Sequence, residues 1–202
     1  MSLTLAIPTG RLGKQVLDIL QEKSLLDESI KPTRKLDVTD TITNFRYLFV
    51  KPSDVLTYVE KGVADIGIVG KDTIMESDSS VYELLDLGLG KCDMIIAGLN
   101  AEQYETKDRL RVASKYTNIA KRYFESINRD VEITKLNGSV ELAPLVGLSD
   151  VIVDITETGE TLKANGLMIF ESIMQVSARL VANTVSYKFK KIVIDDLIKS
   201  LE

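Results

Sequence analysis

The sequence predicts an α/β fold with largely parallel sheets, divided between two lobes. Short apolar runs of strand length recur along its 202 residues, and helical patterns lie between them. About ten such strands are too many for one compact sheet in a chain of this length, which points to two lobes. The composition, 45% hydrophobic and 27% charged with 4 Pro and 12 Gly, is that of a globular protein. It excludes a mainly disordered or collagen-like chain.

The elements read off in order. Residues 3–7 form an apolar strand, after which Leu12, Val16, Leu17, Ile19 and Leu20 make one helical stripe ending near Lys23. Residues 45–50 and 64–69 are the next strands. Between them Ser53 and Asp54 can cap a helix running through Val59 to Lys61, with Gly62 as its stop. Further strands fall at 94–99, 110–113, 131–136, 150–155 and 180–185, several apolar nearly throughout, as strands covered on both faces are. Thr117 and Asn118 open a helix through Ala120, Tyr123, Phe124 and Ile127, and Ile192, Val193, Leu197, Ile198 and Leu201 form a closing one. The expected division is a first lobe of residues 1–90, to which 177–202 return, and a second of 91–176.

Absences narrow the chemistry. The chain has no histidine, which removes Ser-His-Asp and Cys-His catalysis and every His-based metal site. Its one cysteine, Cys92, allows no intrachain disulfide and no zinc ribbon, and at a strand start it reads as a small filler. A net charge of −5 and aromatic residues not interleaved with basic runs argue against a nucleic-acid partner. The N-terminus lacks the pattern of a signal peptide, and no apolar run approaches about 18 residues, so a cytoplasmic protein without a membrane partner is expected.

The strongest chemical signal is VIVDITETGETL at 151–162, an apolar strand, an acidic residue, a Thr-Gly-x-Thr turn and a helix-compatible segment. Such a turn offers successive backbone N–H groups and two hydroxyls to a phosphate, and Gly159 permits the close approach and unusual φ. Asp154 and Glu157 suit sugar hydroxyls or Mg²⁺. Phosphate beside vicinal hydroxyls means a phosphorylated ribose. A plain polar turn shares the Thr-Gly-x-Thr pattern; its place after VIVD favours function. In LNGSVELAP at 136–144, Ser139 can cap a helix start with Glu141 near its positive end, and Pro144 suits the first turn. Arg11, after the Thr9-Gly10 turn, sits where a cation opposes the helix dipole, so it is expected to face an anion or solvent. Gly70 and Asp72 lie just past a strand's carboxyl end, where open α/β sheets bind ligands.

Taken together, AIPTGRL at 6–12, YVEKGVADIGIVGKD at 58–72, KYTNIAKRYF at 115–124, LNGSVELAPLVGLSD at 136–150, VDITETGETLKANGL at 153–167 and NTVSYK at 183–188 resemble, in order, the short-form ATP phosphoribosyltransferase family of histidine biosynthesis. The resemblance implies two lobes like those of type II periplasmic binding proteins, with the active site in a cleft between them. It implies transfer of phosphoribosyl from 5-phosphoribosyl 1-diphosphate to N1 of ATP, with Mg²⁺ held mainly by substrate phosphates. The family's phosphoribosyl loop maps onto Asp154, Glu157, Thr158, Gly159, Glu160 and Thr161. Gly10, Arg11, Arg34, Gly70, Asp72, Ser139 and Glu141 map to ATP and the cleft, with Arg11 and Lys51 as catalytic cations.

Two positions depart from the family's pattern. Thr9 stands where a lysine is usual, and Lys51 where an arginine is; lysine keeps the charge and loses the bidentate fork. By its length the chain resembles the short form, which is expected to lack the long form's histidine-binding domain. That form is expected to work with a subunit resembling histidyl-tRNA synthetase, commonly as a hetero-octamer. Two other classes stay open. A solute-binding module would share the fold, and a nucleobase phosphoribosyltransferase would share the Thr-Gly-x-Thr logic, although it usually places two adjacent acids before the loop where this chain has Asp154-Ile155.

Overall fold

The apolar N-terminal run forms β1 (Thr4–Pro8) in a computed structural model that describes residues 2–28, 30 and 35–202. Gly13 lets the next element, α1 (Arg11–Glu22), close on the end of that strand: a Cβ there would lie 1.7 Å from the Pro8 carbonyl oxygen. The helix buries Val16, Leu17 and Leu20, the stripe visible in its sequence. After β2 (Asp37–Thr39) and β3 (Arg46–Val50), a 3-10 turn over Pro52–Asp54 leads into α2 (Val55–Glu60). Then come β4 (Ile66–Gly70), α3 (Lys71–Glu76) and β5 (Val81–Asp86).

The middle of the chain gives β6 (Cys92–Gly98), α4 (Ala101–Thr106), β7 (Arg109–Ser114) and α5 (Thr117–Ser126). It continues through β8 (Asp130–Lys135), α6 (Leu142–Leu145), β9 (Val151–Thr156) and α7 (Glu160–Ala164). Two long strands, β10 (Met168–Val176) and β11 (Ala178–Asn183), follow with only Ser177 between them, and α8 (Thr184–Leu201) ends the chain.

These elements fall into two units. The first comprises Met1–Ile74, Asp78–Gly90 and Ser177–Glu202, the second Met75–Ser77 and Lys91–Val176. Among the described residues the first unit holds a six-stranded sheet in the order β2-β3-β1-β4-β11-β5. Its centre is parallel, β3 and β4 flanking β1, while β2 and β11 run antiparallel to their neighbours. Leu5, Ile7, Tyr47, Ile66, Ile68 and Leu180 form its core with the inner face of α1 and with Ile194 and Leu197 of α8. The second unit holds a five-stranded sheet, β10-β6-β9-β7-β8, in which β9, β7 and β8 are parallel and β6 is antiparallel to both neighbours. Met94, Ile96, Val112, Ile119, Phe124 and Val153 fill one of its cores.

The sheets are therefore mixed rather than largely parallel. In the first unit β2 is antiparallel to β3, and β11 to both β4 and β5; in the second β6 is antiparallel to β10 and β9. The strand expected at 180–185 stops at Asn183, whose side-chain oxygen accepts from the N–H groups of Val185 and Ser186 and so starts α8 early. Thr117 opens α5 as expected. The acceptor for its first amides comes from elsewhere in the unit: the Glu76 carboxylate takes the Asn118 and Ile119 N–H groups.

At the start of β9 the Asp150 side chain is 1% exposed and gathers the Lys107 ammonium, the Arg111 guanidinium, the Arg111 amide and the Gln103 amide group. Burial alone would raise the Asp150 pKa, and the hydrogen bonds from Arg111 and Lys107 outweigh it, holding the carboxyl at about 2. A carboxyl lowered on folding stabilises fully above its unfolded pKa and loses that contribution as the pH falls through its folded value. Asp150→Asn is accordingly expected to cost about 2–3 kcal/mol in urea denaturation at pH 7, the worth of hydrogen bonds to a charged group. The difference from the parent should shrink between about pH 4 and about pH 2.

Candidate active site

In the first unit the parallel strands β3, β1 and β4 deliver their carboxyl ends to one edge of the sheet. The Thr9 N–H donates to the Val50 carbonyl at 2.7 Å, which sets the β1–α1 turn beside Lys51. Gly10 has φ 89° and ψ −157°, a conformation that suits glycine, and it launches α1 with Arg11 as the first, exposed residue. Lys51 is exposed and extended (φ −62°, ψ 145°) immediately before the 3-10 turn. Beyond β4, the Asp72 carboxylate folds back over Gly70 so closely that a Cβ at 70 would sit 2.1 Å from Oδ1. Arg34 lies outside the described residues.

In the second unit a cavity of about 220 Å³ opens at the carboxyl end of β9. It is lined by the continuous run from Asp154 to Leu162, together with Ile95 and Glu141. All six loop residues expected from the sequence are thus in one place. Asp154 is half-buried, and its Oδ1 accepts from the Ile155 N–H at 2.8 Å. Glu157, Thr158, Glu160 and Thr161 are exposed, and Gly159 is buried in a left-handed conformation (φ 71°, ψ 6°). Two hydroxyls order the turn: Thr156 Oγ1 accepts from the Gly159 N–H at 3.0 Å and Thr158 Oγ1 from the Glu160 N–H at 3.4 Å.

Glu141, grouped by sequence with the nucleotide side, shares this cavity with the loop. The β9-β7-β8 order explains it, because the turn after β8 and the turn after β9 leave the same edge of the sheet one strand apart. Ser139 is not part of the lining. Its φ of 48° puts it in a left-handed turn, where its carbonyl, rather than its hydroxyl, accepts from the Leu142 N–H. Thr156 is the residue that sequence reasoning passed over. Its signal was present as a hydroxyl three residues before a glycine at a strand end.

The chemistry of the cavity follows from its lining. Asp154, Glu157, Glu160 and Glu141 bring negative charge and no lining side chain is cationic. A phosphate there must be met by backbone amides and hydroxyls, with any further positive charge brought by something bound. The carboxylates are acceptors suited to hydroxyl groups. Among the described residues, no group of three or more His, Cys, Asp or Glu side chains is placed to hold a metal ion.

Two α/β units with strand-end turns of this kind define a protein of the periplasmic-binding-protein fold. The periplasmic aliphatic sulphonate binding protein SsuA of Escherichia coli superimposes with a TM-score of 0.66 over 99% of this chain and 71% of that one. At 11% identity the likeness is one of fold alone. Residues 51–202 match the family model HisG, ATP phosphoribosyltransferase. The ATP phosphoribosyltransferase of Brachyspira hyodysenteriae is 53% identical over 99% of this chain and 98% of its own length, and that of Clostridioides difficile is 53% identical over 99% and 97%. A solved ATP phosphoribosyl transferase (HisG:HisZ) complex from Thermotoga maritima matches with a TM-score of 0.80 and 36% identity, covering 98% of this chain and 96% of that one. The chain belongs to the ATP phosphoribosyltransferase family.

Two loop glycines give a direct check on the backbone. A Cβ at Gly159 or at Gly138 would meet nothing within 4 Å, but only Gly159 has a positive φ. Gly159→Ala is expected to cost about 1 kcal/mol or more of stability from left-handed strain alone. Gly138→Ala should be neutral or stabilising by up to about 1 kcal/mol. Urea denaturation of the two variants side by side reads the contrast.

Proposed function

We propose that residues 154–161 bind the phosphoribosyl substrate, in a chain whose reaction is that of its family. That reaction transfers the 5-phosphoribosyl group of 5-phosphoribosyl 1-diphosphate to N1 of ATP, giving N1-(5-phosphoribosyl)-ATP and diphosphate, the first step of histidine biosynthesis. The observation that carries the reading is the cavity at the end of β9, where an amide-rich turn, exposed threonines and carboxylates converge. Amides of the loop and the hydroxyls of Thr158 and Thr161 take the 5-phosphate. Asp154 and Glu157, with Glu141 and Glu160 nearby, accept from ribose hydroxyls and fix the sugar's orientation.

The chemistry asks for no histidine. The N1 lone pair of adenine attacks the anomeric carbon, the N1–C1′ bond forms, and the C1′–O bond breaks with its electron pair leaving on diphosphate. The nucleophile carries no proton that must first be removed. The protein's task is to bring two polyanions together, position them and stabilise the charge gathering on the leaving group. On the first unit Arg11 and Lys51 are the cations offered to those phosphates. Gly10, Gly70 and Asp72 shape the turns beside them, with Arg34 and Ser139 assigned to the nucleotide by family resemblance.

Magnesium is part of this proposal. The carboxylates of Asp154 and Glu157 suit one or two contacts to a hard cation, so the ion would draw most of its ligands from substrate phosphates. Bound in that way it supplies neutralisation of the diphosphate charge. The Thermotoga maritima relative was solved as a HisG:HisZ complex. We extend that pairing to this chain, with a partner resembling histidyl-tRNA synthetase and a hetero-octamer as the expected assembly. No helix among the described residues is long and apolar enough to cross a membrane, and a cytoplasmic location belongs to the same proposal.

Thr161→Ala tests the loop. It is expected to weaken phosphoribosyl diphosphate binding by about tenfold or more, since a hydrogen bond to a charged group is worth about 1.5–3 kcal/mol. Unchanged calorimetric affinity in the folded variant would remove the loop from the substrate site. Lys51 is tested by single turnover with the partner subunit present. If it meets the departing diphosphate, Lys51→Met should slow product formation more than it weakens ATP binding, and Lys51→Arg should keep or raise the rate. Product formed by Lys51→Met as fast as by the parent would make Lys51 a surface lysine.

A further inference from the structure

We infer that Thr156 is a positioning residue for the phosphoribosyl substrate, its hydroxyl holding the Gly159 amide so that the loop is ordered before a ligand arrives. This rests on the assignment of residues 154–161 to phosphoribosyl binding. Thr156 is the last residue of β9 and is registered against Asp93 of β6, so the sheet fixes its backbone. A β-branched side chain has few choices at χ1. In the conformation it takes, Oγ1 accepts from the Gly159 N–H at 3.0 Å across an intervening Glu157-Thr158 pair. The turn is thereby closed into a ring with one side anchored in the ladder.

Gly159 is the residue that most needs such an anchor. Its left-handed backbone is one of many conformations open to glycine, and ordering a glycine costs more entropy than ordering any other residue. A loop that must be ordered when the ligand binds takes that cost out of the binding energy; a loop already closed does not. The same bond sorts the donors. The Gly159 N–H is committed to Thr156 and the Glu160 N–H to Thr158 Oγ1, which leaves the exposed side chains of Thr158 and Thr161 to face a phosphate.

The test uses the full chain with Mg²⁺ and compares Thr156→Val, which removes the acceptor while keeping the branched shape, with Thr156→Ser, which keeps it. Thr156→Ala replaces the valine variant should that one fail to fold. Amide exchange at Gly159 and calorimetric titration with phosphoribosyl diphosphate and, separately, ATP are the readouts. In Thr156→Val the Gly159 amide should exchange faster and the Kd for phosphoribosyl diphosphate rise about threefold to tenfold, the worth of one net hydrogen bond. ATP affinity should stay that of the parent, and Thr156→Ser should restore both readouts. Unchanged phosphoribosyl diphosphate affinity in the folded valine variant overturns the inference, whether or not Gly159 exchanges faster. Thr161→Ala, run alongside, separates the two levels. If it weakens binding and Thr156→Val does not, only the role of Thr156 fails; if it too leaves binding unchanged, the assignment of the loop fails with it.

Discussion

Backbone N–H groups that leave a sheet must find partners, and the second unit is built around where those of β9 go. Inside the ladder β9 pairs with β6 as far as Thr156, opposite Asp93, and with β7 as far as Val153, opposite Ser114. Past Thr156 the ladder ends. The Gly159 and Glu160 amides turn to the hydroxyls of Thr156 and Thr158, and Gly159 takes a left-handed backbone between them. Asp150 holds the opposite end of the same strand with Arg111 and Lys107. A strand fixed at its start and released at its end presents its loop in one arrangement, which is what a site acting by position rather than by a reactive side chain requires.

The two units carry different charge at their strand-end turns. The cavity beside β9 carries carboxylates and no cation, whereas the strand-end turns of the first unit carry Arg11 and Lys51. Hydroxyls and amides can hold one phosphate without added charge, and a sugar gains orientation from the acids. A triphosphate and a departing diphosphate need cations. On the proposed reading, Lys51 would meet diphosphate as a point charge, without the planar fork of the arginine that the family resemblance leads one to expect.

Much of this was legible in the sequence because it is local. The runs that became β1, β3, β4 and β6 to β9 are apolar and short, and the TETGET turn states its own chemistry at the end of one of them. What escaped is of two kinds. β10 alternates poorly because two register shifts against β6 interrupt its pleat, and β5 presents a mixed, half-exposed face, so neither shows the period of a strand. Other features are non-local. The neighbourhood of Glu141 and the loop depends on strand order, and that of Lys51 and the Gly10 turn on the pairing of β1 with β3. Asn183 ended its strand through a side chain that caps the following helix, a choice the apolar residues Val181 and Val185 around it do not announce.

The central claim is that the turn at the end of β9 is where the phosphoribosyl group is held. It is tested most directly by following the backbone amide resonances of the isotopically labelled chain as phosphoribosyl diphosphate and Mg²⁺ are added. The account expects saturable shifts centred on residues 154–161 and on Glu141, with the Gly159 amide remaining protected from exchange throughout. Shifts that saturate elsewhere while the resonances of this loop stay in place would contradict it.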